Sequence, residues 1–140
     1  MKIKEITNYL ESIAPLHFQE DYDNSGLLVG NENTILDGAL ITLDCTEEVV
    51  EEAISLGCNL IIAHHPIIFS GLKKLAGNNY VERTIIQAIK NDIAIYAIHT
   101  NLDNVVNGVS AKIAEKLGVQ NCKILSPKKD LLRQLTVYCP

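Results

Sequence analysis

The four cysteines, Cys45, Cys58, Cys122 and Cys139, form no C-x-x-C pair, so the chain has neither a thiolate clamp for zinc nor a dithiol redox motif. The N-terminus has no apolar core of the kind a signal peptide needs; Met1-Lys2-Ile3-Lys4-Glu5 leads directly into an amphipathic pattern. No apolar run approaches the roughly 20 residues of a membrane span. These absences predict a reduced, cytoplasmic protein without a membrane partner, its cysteines packed as small hydrophobes. Phosphate-cradling glycine loops are missing too, because Gly26 and Gly30 complete neither G-x-G-x-x-G nor G-K-[ST]. Ser70 lacks the local signature of an activated nucleophile, which sets aside a serine hydrolase. Basic charge is short: 12 Lys+Arg stand against 17 Asp+Glu, for a net −5. Nucleic-acid affinity rests on basic groups that neutralise phosphates, so this balance argues against such a partner, Lys128-Lys129 being the one basic hint.

What is present is an α/β alternation in 140 residues, 47% of them hydrophobic and 21% charged, a size suited to one domain with a real core. Ile3, Ile6, Leu10 and Ile13 recur at helical spacing and predict a helix over 2–14 that stops before Pro15. The stretch 15–33 is polar and turn-rich, with an apolar island at Leu27-Leu28-Val29. Ala39 to Leu43 has strand length. Asp44 and Thr46 then offer N-cap chemistry, Glu47 and Glu48 suit the helix dipole, and Val49, Val50, Ala53, Ile54 and Leu56 mark a buried face closed by Gly57. Leu60 to Ala63 is apolar throughout, as a strand covered on both faces should be. A helix through Val81, Ile85, Ile86 and Ile89, a strand over Ile93 to Ile98 and a helix through Val109, Ile113, Ala114 and Leu117 to Gly118 complete the series. Residues 67–79 read as irregular. The fold class expected is α/β, a mostly parallel sheet flanked by helices with right-handed crossovers. Leu135-Thr136-Val137-Tyr138 reads as a strand just begun, which suggests a fragment of something longer, a terminal edge strand being the alternative.

Three of the four histidines follow predicted strands directly, and in open α/β sheets sites form beyond the carboxyl ends of strands. His64 and His65 leave one strand, and His99 and Asp103 leave the next. Adjacent histidines in extended backbone point to opposite faces, and Pro66 favours that divergence at His65, so one cation would not easily take both. Two cations side by side could take one each, an acidic group completing the pair; imidazole with carboxylate suits zinc, iron, manganese or cobalt. Asp103 could instead serve a turn or helix cap, and His99 could hydrogen-bond a carbonyl or orient other groups. Asp21, Asp23 and Asn24 before Ser25-Gly26 read slightly better as a turn than as part of a site. For Asp44 the helix cap is the stronger reading, and His17 reads as a surface residue.

Asp21-Tyr22-Asp23-Asn24-Ser25-Gly26-Leu27-Leu28-Val29-Gly30 resembles the "WDNxGLxVG" signature of the NIF-three-like family, also called GTP cyclohydrolase 1 type 2 homologs. Ala63-His64-His65-Pro66-Ile67-Ile68-Phe69 is similar to its "xHHPxxF" motif, and His99-Thr100-Asn101-Leu102-Asp103 to its "HTNLD" motif. The resemblance implies a two-metal centre with His64, His65 and Asp103 as ligands, inside a toroidal homo-oligomer that is commonly a hexamer of stacked trimers. It also implies two further ligands in a later H-x-x-x-E segment, whereas this sequence has no histidine after His99 and no glutamate after Glu115. The expectation is therefore the N-terminal half of a family member, residues 1–140, ending at the start of an inserted domain. Two functions follow: a metal-dependent hydrolase acting on a nucleotide or phosphorylated small molecule, with His99 orienting groups or shuttling a proton, or a non-catalytic metal-binding scaffold or regulator. The lack of any obvious general base independent of the ligands favours the second, and the family's name derives from an interaction with a transcription factor.

Overall fold

A computed structural model describes residues 1–126 and Val137. Helix α1 (Ile3–Ile13) opens the chain, its first turn held by the Glu5 carboxylate, which accepts the Lys2 amide at 2.7 Å. Strand β1 (Gly26–Val29) is followed by β2 (Ala39–Thr42), α2 (Glu47–Ser55), β3 (Leu60–Ala63), α3 (Tyr80–Lys90), β4 (Ala94–Ala97), the one-turn α4 (Thr100–Asp103) and α5 (Val109–Leu117). The strands lie in the order β1-β4-β3-β2. Strands β2, β3 and β4 are mutually parallel, and β1 runs antiparallel to β4 with an irregularity between Leu27 and Val29.

The uniformly apolar strands β3 and β4 occupy the middle because both their faces are covered. Alternation along them sorts side chains to two cores. Ile61, Ala63 and Ile95 pack with Val50 and Ala53 of α2 and with Ile85 and Ala88 of α3. Leu60, Ile62, Ala94 and Tyr96 pack on the other face with Ile3 of α1 and with Ala14. The result is a three-layer sandwich in which the carboxyl ends of β3 and β4 emerge side by side.

The apolar island at Leu27-Leu28-Val29, left unassigned by its pattern, lies in a strand; four residues in a polar stretch carry too little periodicity to declare themselves, and pairing with β4 decides the matter. Asp44 is not the cap of α2. Thr46 is, its hydroxyl accepting the Val49 amide. Strand β2 is a sheet edge, with Ile41 78% exposed and Leu43, just past its end, 59% exposed. Among the described residues no helix is long and apolar enough to cross a membrane. The strand expected over Leu135 to Tyr138 lies outside the described residues, apart from Val137.

Candidate metal centre

His64 and His65 leave β3 where the backbone bends. In a regular strand successive amides face opposite neighbours. Here the His64 amide donates to the Thr42 carbonyl at 3.1 Å and the His65 amide to the Leu43 carbonyl at 2.9 Å, both towards the β2 side. That irregularity abolishes the expected divergence of the two rings. Their centroids are 5.1 Å apart, and His99, arriving from the end of β4, stands 5.4 Å from His64 and 5.6 Å from His65. The expectation that one cation could not easily take both histidines is corrected by this bend. One ligand atom from each of His64, His65 and His99 lies within 4.8 Å of the others.

Each ring is tied through Nδ1. His64 Nδ1 is 2.8 Å from the Ile98 carbonyl oxygen, which can only accept, so Nδ1 carries the proton and the lone pair of the neutral ring resides on Nε2. His65 Nδ1 is 2.7 Å from Asp44 Oδ1, and His99 Nδ1 is 2.8 Å from Asp23 Oδ1. Both partners are carboxylates, which again places the proton on Nδ1. Fixing the tautomer and ring orientation of imidazole ligands in this way is what an outer carboxylate or carbonyl does in metal sites. Three imidazoles with Nε2 free fit a zinc, iron or manganese ion by donor chemistry, since divalent first-row metals take neutral imidazole nitrogen.

Asp103 sits at the end of α4 with Oδ1 3.9 Å from His64 Nε2. This is too long for a hydrogen bond, and both atoms are electron-rich. An imidazole nitrogen and a carboxylate oxygen so placed are donors that would together hold a divalent cation. The placement of α4 depends on Gly108: a Cβ there would run into the Leu102 carbonyl of α4. Asn101, fully buried, accepts the His99 amide at 2.9 Å and donates to the Ala14 carbonyl at 2.7 Å, pinning the turn between β4 and α4.

Asp23 is the most constrained acid in the site. Its side chain is fully covered. Burial works against its charge, but the Thr100 hydroxyl, the His99 ring and the amides of Asn24 and Thr100 outweigh burial and bring the carboxyl from 3.8 down to about 2. The turn reading of Asp23 holds as well, since Oδ1 accepts the Asn24 amide at 2.7 Å and Oδ2 the Ser25 hydroxyl at 3.1 Å. Local sequence showed that half only; the partner His99 lies 76 residues away. Asp44 shared the strand-end position of the histidines, a signal outweighed by its place before a helix. His17 is exposed beside Phe18 and takes no part in the cluster.

Residues 1–139 match the model of the Duf34/NIF3 (NGG1p interacting factor 3) family. The chain belongs to that family. It is 37% identical over 134 residues to a GTP cyclohydrolase 1 type 2 homolog of Clostridium acetobutylicum, covering 96% of this chain and 50% of the relative. Among solved structures, a Bacillus cereus protein related to NIF3 superposes with a TM-score of 0.86 at 47% identity, over 91% of this chain and 35% of that one. Reduced HcgD from Methanocaldococcus jannaschii gives a TM-score of 0.81 at 32% identity, over 88% of this chain and 49% of that one. The chain thus spans half or less of the length of these relatives.

Proposed function

We propose that this chain supplies part of the divalent-metal centre of a hydrolase acting on a nucleotide or a phosphorylated small molecule. The observation that carries the reading is the convergence of three imidazoles, each held through Nδ1, with Asp103 3.9 Å from one of them. His64, His65 and Asp103 are the ligands in this reading, and two ions, of zinc, iron or manganese, make a complete centre. The name borne by the Clostridium relative, GTP cyclohydrolase 1 type 2 homolog, supports a nucleotide as the substrate class.

A bound divalent ion would supply Lewis acidity and a water acidic enough to yield hydroxide near neutral pH. The chain's own residues do the rest. The Ile98 carbonyl and Asp44 hold the rings of His64 and His65 in the tautomer that leaves Nε2 unprotonated. His99, tied to Asp23 on one side, has Nε2 available to orient the substrate or take a proton. Its fixed tautomer suits a group that must accept on one nitrogen while the other stays engaged. Assembly into a homo-oligomer belongs to the same reading, and sedimentation mass checks it.

The test is metal content by elemental analysis, followed by a turnover screen over nucleotides and phosphate esters with zinc- and manganese-loaded protein. Turnover lost in Asp103→Ala, with circular dichroism unchanged, supports the hydrolase. Stoichiometric loading without turnover in a full-length relative supports instead a metal-binding interaction protein, the reading favoured by the family's description as an interacting factor. No metal uptake at all overturns both.

A further inference from the structure

Phe69 stands beside the imidazole cluster and Tyr22 stands beside Phe69, and neither ring is buried. Tyr22 is 65% and Phe69 51% exposed, their ring centroids are 6.3 Å apart at 50°, and Phe69 lies 6.5 Å from the His99 ring in an edge-on arrangement. Exposed aromatic rings on loops ordinarily swing freely. These two are anchored by their neighbours in sequence: Asp23, next to Tyr22, is bound to His99, and Ile68, next to Phe69, accepts the Asn24 side-chain amide at 2.6 Å. The turn at 21–24 and the loop at 67–70 are therefore latched together, with both rings left at the surface. Pre-ordering of this kind removes much of the entropy loss of binding.

From this juxtaposition we infer that Tyr22 and Phe69 form a stacking platform for the planar heteroaromatic ring of a nucleoside-type ligand, holding it against His99. The inference rests on the proposed nucleotide-directed site and assigns its base-binding residues. The chemistry follows from the rings: an aromatic face attracts any flat heterocycle through dispersion and quadrupole complementarity, with little demand for a particular hydrogen-bond pattern. A ribose or phosphate group alone has no flat π-face to stack on such a surface. Net charge of −5 makes a free nucleoside or nucleotide a better occupant than a polynucleotide.

The sequence has no tryptophan, so Tyr22→Trp places a single indole reporter on the platform. Adenosine, inosine and ribose are titrated into the 140-residue chain, both zinc-loaded and chelator-treated, by indole fluorescence and by calorimetry. Expected is quenching by adenosine and inosine but not by ribose, with or without zinc. In the otherwise unaltered chain, Tyr22→Ala and Phe69→Leu each weaken nucleoside affinity by about tenfold, whereas Tyr22→Phe and Phe69→Tyr retain it. Zinc content stays unchanged in all four variants. Conversely, His64→Ala lowers zinc content and leaves nucleoside quenching in place, so failure of the metal reading and failure of the platform are separable. Ribose binding as tightly as adenosine, unchanged nucleoside affinity in Tyr22→Ala and Phe69→Leu, or a loss confined to oligomeric mass would each overturn the platform.

Discussion

Replacing Asp23 with asparagine tests the innermost support of the site. Oδ1 accepts from His99 Nδ1 and the Asn24 amide; Oδ2 accepts from the Thr100 amide at 3.0 Å, the Thr100 hydroxyl and the Ser25 hydroxyl. An amide has only one acceptor atom, so whichever way it turns, an NH2 group faces donors that Asp23 had satisfied. Hydrogen bonds to a charged group contribute about 1.5–3 kcal/mol each, and allowing for those the asparagine oxygen keeps, Asp23→Asn should destabilise the fold by about 2–4 kcal/mol at pH 7. Part of that loss is linked to protonation. The folded carboxyl at about 2 lies below its ordinary 3.8, so its contribution is present in full above 3.8 and disappears as pH falls through 3.8 towards 2. The difference corresponds to at most about 2.4 kcal/mol. Urea unfolding at pH 7 and pH 2.5 measures both quantities: the gap between the original chain and Asp23→Asn should narrow by about two-thirds of that amount at the lower pH, where the folded carboxyl is still largely ionised. A gap that stays constant, or a variant as stable as the original at pH 7, refutes the assignment of Asp23 as a charged, sealed anchor.

Asp44→Ala separates orientation from stability, because the Asp44–His65 pair is about half exposed: unfolding should shift by less than about 0.5 kcal/mol, while zinc affinity in a chelator competition falls about tenfold or more. Gly108→Ala drives a methyl group against α4; a stability loss of about 1–3 kcal/mol in thermal unfolding should accompany reduced zinc uptake, since Asp103 is displaced with the helix. Burial pushes the Cys45 thiol up to about 11, so iodoacetamide followed by peptide mass mapping should label exposed Cys122 and spare Cys45 while the protein is folded.

The α/β class and the helices and strands from residue 39 onward are legible because their signals are local: Leu60 to Ala63 is apolar at every position, and Val109 to Leu117 keeps helical period up to a glycine with φ +69. Strand β1 was hidden because its identity comes from pairing with β4, and the one-turn α4 because four residues have no period to read. In the site, His64, His65, His99 and Asp103 are conspicuous as the polar exits of apolar strands. Their partners are not. Asp23 and Asp44 join His99 and His65 across 76 and 21 residues, and each also has a sound local use, as a turn and before a helix, that competes for the reading. The convergence of His64 with His65 turned on a backbone bend at the end of β3 that no residue in the sequence announces.

Crystals of the chain soaked in zinc and measured on both sides of the zinc absorption edge address the convergence of the histidines most directly. An anomalous peak within bonding distance, about 2.0–2.1 Å, of His64 Nε2, with His65 and Asp103 around it, is the predicted outcome. Peaks confined to other surface groups such as Cys122, with the three rings bare at saturating zinc, would contradict it.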